Sequence, residues 1–421
     1  MADILSTGIS GLRAFQRALD VTSHNIANVS TPGYSRQRVE MQTRDAERYG
    51  SGFLGTGVDV ATISRRYDDL LASQMRGATS SSSRLDLYAS KAQVLNGLFS
   101  DSSTGISASL QRFTNAVQGV SNEPTSTAAR QVMLSEAQGL AQRLKTYDGR
   151  LEDMAAEINT RLATEAATVS TIADSIARLN SQIVTAQSAG QPPNDLLDAR
   201  DQQLAALSEH LNVQVLRQDD GSLNVFVGNG QSLVLGNQAA KLVTQRDALD
   251  PTRVSIAYQA GGTTSDMTAS LGGGSLGGLL DFRRELLDPV RNQLGQIAVA
   301  VATTVNSQQR EGMDLQGALG TDLFSLGPVG VLPAAGNTGS ATISVTRTSI
   351  AALTTNDYIL EYSGSAWSAR RADTGAPVAL SGAGTVGSPF VADGLSFVMG
   401  GTPAAGDAFK ITPTSGAIRG R

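Results

Sequence analysis

The chain has 421 residues, enough for about three domains. Its formal net charge is −5 and its basic residues are interspersed with acidic ones, so we expect no nucleic-acid partner, because phosphate binding needs concentrated Lys and Arg. It contains no cysteine, only two histidines, no apolar run long enough to span a lipid bilayer and no pattern typical of a cleaved secretory signal, so by itself the sequence looks cytosolic.

The first predicted element is an amphipathic helix with a heptad stripe. Four apolar residues recur every seven positions, at Leu5, Leu12, Leu19 and Ile26, with Gly8, Phe15, Thr22 and Val29 interleaved three positions later. The helix should end between Asn25 and Tyr34, since Pro32 removes a backbone donor and Gly33 favours a turn. No apolar partner is evident nearby in the sequence, so we expect another subunit or the far terminus to bury the stripe.

The predicted assembly interface combines this stripe with the stop that follows it. Its residues are Leu5, Leu12, Phe15, Leu19, Asn25, Ile26, Asn28, Thr31, Pro32, Gly33 and Tyr34. We expect residues 1 to about 30 to be mobile in the isolated chain and to become ordered when neighbouring subunits bury the stripe.

The next segments predict a hairpin followed by helices. Residues 36–43 and 58–63 alternate between apolar and polar side chains and are separated by glycines, which indicates paired strands. Helical spacing runs from about Arg66 to Leu98, is broken by the run Asp101–Gly105, and resumes to about Val120.

Residues 126–187 contain no proline, and their second half carries an apolar seam with alternating spacings of three and four. The seam predicts a helix of about 48 Å at about 1.5 Å per residue. The seam residues are Ala155, Ile158, Leu162, Glu165, Val169, Ile172, Ile176, Leu179, Ile183 and Ala186. We expect the seam to pack lengthwise against other helices, either within the chain's own bundle or directly between subunits. Glu165 alone interrupts it.

Two β-rich modules flank a further helix. Residues 213–227 alternate with period two around an Asp-Asp-Gly turn, and this module ends near Gly274. A helical pattern runs from Leu279 to about Gln309, and β pattern returns beyond Gly327. The predicted class is therefore α+β multidomain, with a long helical bundle or coiled-coil core and two β-rich modules. The predicted segments are 1–65 (assembly helix and extended segment), 66–211 (bundle), 212–274 (first β module), 275–326 (returning helix) and 327–421 (second β module).

Candidate catalytic groups are scarce. We interpret His24 and His210 as surface or interface residues, and the glycine run 272–278 as a hinge, because the Lys and Ser/Thr of a phosphate-binding loop are missing. Adjacent carboxylates such as Asp68 and Asp69 are interpreted as solvated charge, and no metal-ligand spacing is present. We expect no catalytic, cofactor-binding or metal site.

Residues Ser10 to Arg36 resemble the N-terminal signature of bacterial flagellar axial proteins, which are rod, hook and hook-associated subunits. The turn Thr31–Gln37, with the sequence TPGYSRQ, is similar to that of the hook-associated protein 1 family, whereas hook and rod subunits more often continue with Gly-Phe-Lys. Stretches within 277–324 and 393–407 also resemble this family, so the resemblance covers most of the chain.

The resemblance implies a structural subunit that is not an enzyme and that joins hook to filament by self-assembly of its helices. It implies copies of the chain, the hook protein and a second hook-filament junction protein as partners, and an extracellular location in the flagellum after export without a cleaved signal peptide. Family members continue into C-terminal helices that pack on the counterpart of Leu5–Val29 and are recognised by an export chaperone. This sequence lacks them, so we expect an incomplete innermost layer and no implied chaperone contact.

Two alternatives remain open on the sequence. One is another axial subunit, such as a distal rod protein. The other is a secreted adhesin or hydrolase whose second β module binds carbohydrate or protein. An exposed Trp367 grouped with tyrosines would favour binding, whereas a buried Trp367 would favour a sandwich core.

Overall fold

A computed structural model of the chain describes residues 4–100, 105–188 and 190–419, with the side chain of Tyr49 left aside. Contacts divide the chain into two compact units. The first contains the residues up to Asp86, 163–244 and 256–278, and the second contains 87–162, 245–255 and the residues from Leu279 onward. The predicted α+β multidomain class is confirmed. Among the described residues, no helix combines the length and apolar character that crossing a membrane requires.

The helices are α1 (Ile4–Ala27), α2 (Asp69–Phe99), α3 (Ile106–Asn122), α4 (Thr127–Gln187), α5 (Asn194–His210), α6 (Gly274–Phe282) and α7 (Asp288–Glu311). A π-helical turn, Arg283–Leu287, joins α6 to α7, and the turn Ala417–Arg419 is a 3₁₀ helix. Helix α2 begins where the Asp68 carboxylate accepts the amides of Leu70 and Leu71, each at 3.0 Å. Of the predicted break, residues 101–104 lie outside the described residues, and α3 starts directly after Gly105.

The strands of the first unit, with β9 and β10 extending slightly beyond it, are β1 (Gln37–Thr43), β2 (Glu47–Tyr49), β3 (Gly52–Leu54), β4 (Val58–Arg65), β5 (Val213–Arg217), β6 (Leu223–Val227), β7 (Gln231–Leu235), β8 (Gln238–Ala239), β9 (Lys241–Arg246), β10 (Val254–Ala260) and β11 (Thr263–Asp266). The predicted pairing of β1 with β4 is confirmed and is antiparallel. A small β2–β3 hairpin between them was not predicted. The first β module consists of the sheets β5-β6-β7-β8 and β9-β10-β11.

The second half of α4 also packs on this β module, a contact that the predicted packing of its seam against other helices did not include. The amide of Asn180 donates to the carbonyls of Leu223 and Gly236 at 2.8 and 2.7 Å. The hydroxyl of Ser170 accepts the Leu242 amide at 2.9 Å. Sequence periodicity showed that the helix has a buried side but not which kind of element buries it.

Helix α6 begins at Gly274 rather than at the predicted Leu279. Gly274 has a φ of +58°, and a Cβ there would lie 2.1 Å from the carbonyl carbon of His210. Only glycine permits this close backbone contact at the end of α5. A tertiary contact that the local composition does not reveal therefore decides where the helix starts.

The second β module lies in the second unit and has two antiparallel sheets, β12-β19-β14-β15-β16 and β13-β18-β17. Its strands are β12 (Gly330–Pro333), β13 (Thr342–Arg347), β14 (Tyr358–Tyr362), β15 (Trp367–Arg371), β16 (Pro377–Val378), β17 (Phe390–Ala392), β18 (Leu395–Gly400) and β19 (Ala408–Thr412). Trp367 is half-buried, with ring centroids 5.2 Å from Tyr362 and 6.0 Å from the buried Phe409. This position favours the sandwich core over an exposed aromatic binding face.

Candidate assembly interface

One face of helix α1 is buried, and the opposite face is exposed. Ser10, Ala14 and Val21 are buried and lie on the side of α1 that contacts β1 and β4. At about 100° per residue, the stripe centred on Leu12 and Leu19 lies on the opposite side of the helix. The hairpin therefore covers the small-residue face of α1, a contact that the sequence did not predict, and it does not cover the stripe.

The bulky residues of the stripe remain exposed. The exposed fractions are 68% for Leu5, 60% for Leu12, 65% for Phe15, 67% for Leu19 and 69% for Ile26. Large apolar side chains aligned along a whole helix form a contiguous patch, which marks an interaction surface more often than scattered single residues do. The side of α1 that faces the hairpin is filled by small residues, so the hairpin cannot also cover the stripe.

The hairpin approaches α1 closely at Gly57. Gly57 has a φ of +114°, and a Cβ at this position would lie 2.1 Å from the Ser10 hydroxyl. That hydroxyl donates to the Thr7 carbonyl at 2.8 Å and accepts the Val58 amide at 3.2 Å. Because Ser10 and Gly57 are both small, the backbone of the hairpin packs directly against the backbone of α1.

Asn25 fixes the end of α1. Its Oδ1 accepts the Tyr34 hydroxyl at 2.7 Å and the Gln37 amide at 2.8 Å, while its Nδ2 donates to the Gln37 carbonyl at 2.9 Å. This polar hub connects the helix, the turn and β1. Burial, followed by the charges of Asp198 and Asp195, raises the pKa of Tyr34, so its hydroxyl stays protonated as a donor.

The remaining predicted stop residues form the turn itself. Asn28 Nδ2 donates to the His24 carbonyl at 3.0 Å, and the Thr31 hydroxyl lies 3.3 Å from Asn28 Oδ1. Pro32 and Gly33 follow, and Gly33 has a φ of +79°, which its lack of a side chain permits. The structure therefore gathers the stop residues into one network and leaves the stripe residues outside it.

Sequence reasoning missed the residues of α5 that hold this turn. Asp198 Oδ2 accepts the amide of Ser35 at 2.9 Å, and its Oδ1 accepts Arg65 Nη1 at 2.8 Å. Arg65 also pairs with Asp201 at 2.5 Å and stacks over the ring of Tyr67, 4.3 Å from its centroid. Asp198 and Asp201 lie more than 130 residues further along the chain than the turn and the hairpin, so no local sequence pattern indicates these contacts.

His210, predicted to be a surface or interface residue, is half-buried against α4. Its side chain is 23% exposed, and its Nδ1 lies 2.6 Å from Oε2 of Glu165, the polar residue that interrupts the seam. The Ser275 hydroxyl donates to the same Oε2 at 2.5 Å and lies 3.4 Å from the same Nδ1. In a catalytic triad the acid and the nucleophile contact different imidazole nitrogens, whereas here Glu165 and Ser275 both lie near Nδ1. We therefore interpret this cluster, called the clasp below, as a structural contact between α4, α5 and α6.

The described residues contain no group of three or more His, Cys, Asp or Glu side chains placed to hold a metal ion. Asp69, one of the adjacent carboxylates, pairs with Arg217 at 2.8 Å, and both groups are well exposed. The exposed stripe of α1 is therefore one surface of the first unit that is suited to an outside partner.

Comparison with known proteins gives three matching family profiles. The profile of the flagellar hook-associated protein FlgK helical domain matches residues 92–324, that of the flagella basal body rod protein matches 5–34, and that of the flagellar hook-associated protein 1 D2-like domain matches 332–413. The first of these alone spans more than half of the chain.

Relatives and a solved structure agree with these profiles. The chain is 34% identical to flagellar hook-associated protein 1 of Escherichia coli (strain K12) over 99% of its own length and 77% of the relative. Its identity to the Bacillus subtilis protein of the same name is 26%, over 81% of this chain and 73% of the relative. The solved structure of the flagellar hook junction protein FlgK from Burkholderia pseudomallei matches with a TM-score of 0.78 and 34% identity, over 83% of this chain and 64% of that one.

Proposed function

The chain belongs to the flagellar hook-associated protein 1 family, and on that premise we propose that it is a structural subunit that self-assembles through its helices at the junction between hook and filament. The proposed partners are copies of the same chain, the hook protein and a second junction protein, in the extracellular flagellum. The proposed role is architectural and not enzymatic.

The exposed stripe on α1 is the observation that carries the self-assembly proposal. Complete burial of a Leu, Ile or Phe side chain contributes about 1.5 to 3 kcal/mol. Association costs about 4 to 15 kcal/mol in lost translational and rotational freedom before any side-chain ordering. Five such side chains only about balance that cost, so a stripe of this size supports assembly best where several neighbours contact each subunit, as in a ring.

The same-class alternative, a rod subunit, is less well supported. The rod profile matches only the N-terminal segment 5–34, whereas the hook-associated profiles match 92–324 and 332–413. The N-terminal helix is thus a shared element, and the long helices and second β module distinguish the family.

The test is to place a charge in the stripe. We expect Leu12→Asp or Leu19→Asp to leave the thermal unfolding of the isolated chain unchanged but to abolish incorporation, because the charge meets water in the monomer and an apolar neighbour in the assembly. The measurement is rescue of swimming in a strain that lacks its junction protein, beside circular dichroism of the purified chain. Arg13→Asp is the matched control, because it lies on α1 away from the stripe and changes the charge more.

Loss of monomer stability in Leu12→Asp would place the stripe in an intramolecular core and contradict the proposal. A second measurement compares amide exchange of residues 4–30 in the monomer and in the assembly. We expect slower exchange in the assembly, and equal protection in both states would also count against burial by neighbours.

A further inference from the structure

The turn that follows α1 and the end of β4 both pack against α5. Asp198 is buried on the first unit's α5, and its two carboxylate oxygens accept the Ser35 amide from the turn and the Arg65 guanidinium from β4. The Asn194 side chain donates to the Ile63 carbonyl of β4 at 2.7 Å. Helix α5 therefore contacts both ends of the segment formed by the turn and the β1–β4 hairpin.

The other contacts of α1 that are described above do not involve α5. The Asn25 hub and the Ser10–Gly57 contact fix α1 to its own hairpin, so helix and hairpin form one body. Because these contacts lie within that body, they do not determine how it is oriented on α5. The Asp198 carboxylate contributes both a backbone and a side-chain contact to that orientation.

We infer that Asp198, paired with Arg65, is a positioning residue for assembly: it fixes the turn at Ser35 on α5 and so sets the direction in which α1 presents its stripe. This inference rests on the proposed function. Asp198 does not touch a neighbouring subunit in this account; it acts through the orientation of α1. A helix held in one direction needs less ordering when it associates, which increases affinity without any new contact.

Gly33 shows how closely the turn lies on α5. A Cβ at Gly33 would lie 3.3 Å from Cδ of Gln202, one helical turn beyond Asp198. The turn therefore lies against the α5 surface next to Asp198. Burial of Arg65 and Asp198, with side chains 6% and 9% exposed, keeps water from competing for their contact.

The test measures the direction of α1 in the monomer and assembly separately. The chain has no cysteine, so spin labels at Arg13→Cys on α1 and Ala205→Cys on α5 report one distance by pulsed electron paramagnetic resonance. We expect a narrow distance distribution for the parent and a broader one for Asp198→Asn, which keeps the shape of the side chain but loses one of the two charges that hold Arg65, the other being that of Asp201. Glu209→Gln is the matched control, because it removes an exposed carboxylate from α5 away from the turn and the hairpin, and it should leave the distribution narrow.

Self-association of the unlabelled full chain by analytical ultracentrifugation is the second readout. We expect Asp198→Asn to weaken it by about tenfold, because the freed helix must be ordered on association, and Glu209→Gln to leave it unchanged. Asp198→Glu, which restores the charge, should recover part of the loss. Unchanged circular dichroism and thermal unfolding of the variants establish that the fold survives.

The inference is overturned if the distance distribution stays narrow in both Asp198→Asn and Asp198→Ala, or if it broadens while self-association is unaffected. Global unfolding of Asp198→Asn would likewise assign Asp198 to the core instead of to positioning. If the parent chain does not self-associate at all while the distances change as expected, the proposed function fails and the positioning of α1 by Asp198 stands.

Discussion

The attachment of α1 in the first unit and the attachment of the second β module in the second unit follow opposite principles. Helix α1 is held by hydrogen bonds at its end and by small residues along one side, with its bulky apolar side chains exposed. The second β module is held to α7 by a continuous apolar core that includes Val299 of that helix. Backbone also approaches backbone there, since a Cβ at Gly295 would lie 2.1 Å from the Thr414 carbonyl oxygen.

Buried ion pairs add to the second attachment. The connection between β9 and β10 places Asp250 2.9 Å from Lys410 on β19 and 3.0 Å from Arg253, which also pairs with Asp288 of α7 at 2.7 Å. Burial acts to raise the pKa of Asp250, but the charge of Lys410 and the surrounding hydrogen bonds hold it well below its usual range. The Asp250 carboxylate therefore stays charged and pairs with Lys410 and Arg253.

The difference indicates which surfaces are complete in the single chain. The attachment of the second β module to α7 consists of buried apolar side chains and paired buried charges, so this contact gains little from a neighbour. Helix α1 has satisfied polar groups and exposed apolar ones, which is the arrangement expected of a surface completed by assembly. Each of the following changes tests one side of this comparison.

The largest effect is expected from breaking the buried ion cluster. We expect Lys410→Met to lower the free energy of unfolding of the second unit by about 3 to 5 kcal/mol, because Asp250 and Asp357 lose a buried cation. The measurement is denaturant unfolding followed by the fluorescence of Trp367, the single tryptophan of the chain, which lies in this module.

Arg310→Met is the matched control for Lys410→Met. Arg310 makes a two-pronged contact with Asp322 at 2.6 and 2.7 Å, but it is 63% exposed, so its loss should lower the free energy of unfolding far less than the loss of Lys410 does. Equal effects of the two substitutions would show that the buried cluster adds no special stability.

A matched truncation compares the apolar groups directly. We expect Ile411→Ala, in the core of the second module, to cost about 2 to 5 kcal/mol through lost burial and the cavity it leaves. Leu19→Ala on α1 should change the free energy of unfolding by less than about 0.5 kcal/mol, because that side chain is exposed and alanine favours helix. A cost of Leu19→Ala comparable to that of Ile411→Ala, in chemical unfolding of the isolated chain, would contradict the exposed stripe.

The smallest effect is a pH dependence in the first unit. The hydrogen bond to Glu165 raises the pKa of His210 above the unfolded value of about 6.5, although burial acts in the opposite direction. The stabilisation is therefore fully present below about pH 6.5 and is lost as pH rises through the raised folded pKa, by about 1 kcal/mol or less. Unfolding at a series of pH values should show this decline in the parent and in His24→Gln, but not in His210→Gln.

Titration of the two histidine signals by nuclear magnetic resonance provides the independent check, because the chain has only two histidines. A midpoint for His210 below that of the unfolded chain would have the wrong sign and would rule out the clasp as a source of stability near neutral pH.

Much of the fold was predictable where one segment carries its own signal. The heptad spacing of Leu5, Leu12 and Leu19 predicted α1, the apolar seam predicted the second half of α4, and the Asp-Asp-Gly turn predicted the β5–β6 hairpin. The start of α6 was predicted wrongly, because Gly274 adopts its conformation through a contact with His210, which lies far away in the sequence.

By itself the sequence determined the periodic elements, the stop at Pro32 and Gly33 and the resemblance to a family of axial proteins, since local spacing and turn chemistry encode these features. Only the tertiary structure decided that the hairpin covers the small-residue side of α1, that Asp198 holds the turn, and that Glu165 pairs with His210. Those outcomes depend on pairs of residues that are distant in the chain. The helical spacing of a side chain does not indicate which distant residue will contact it in the folded protein.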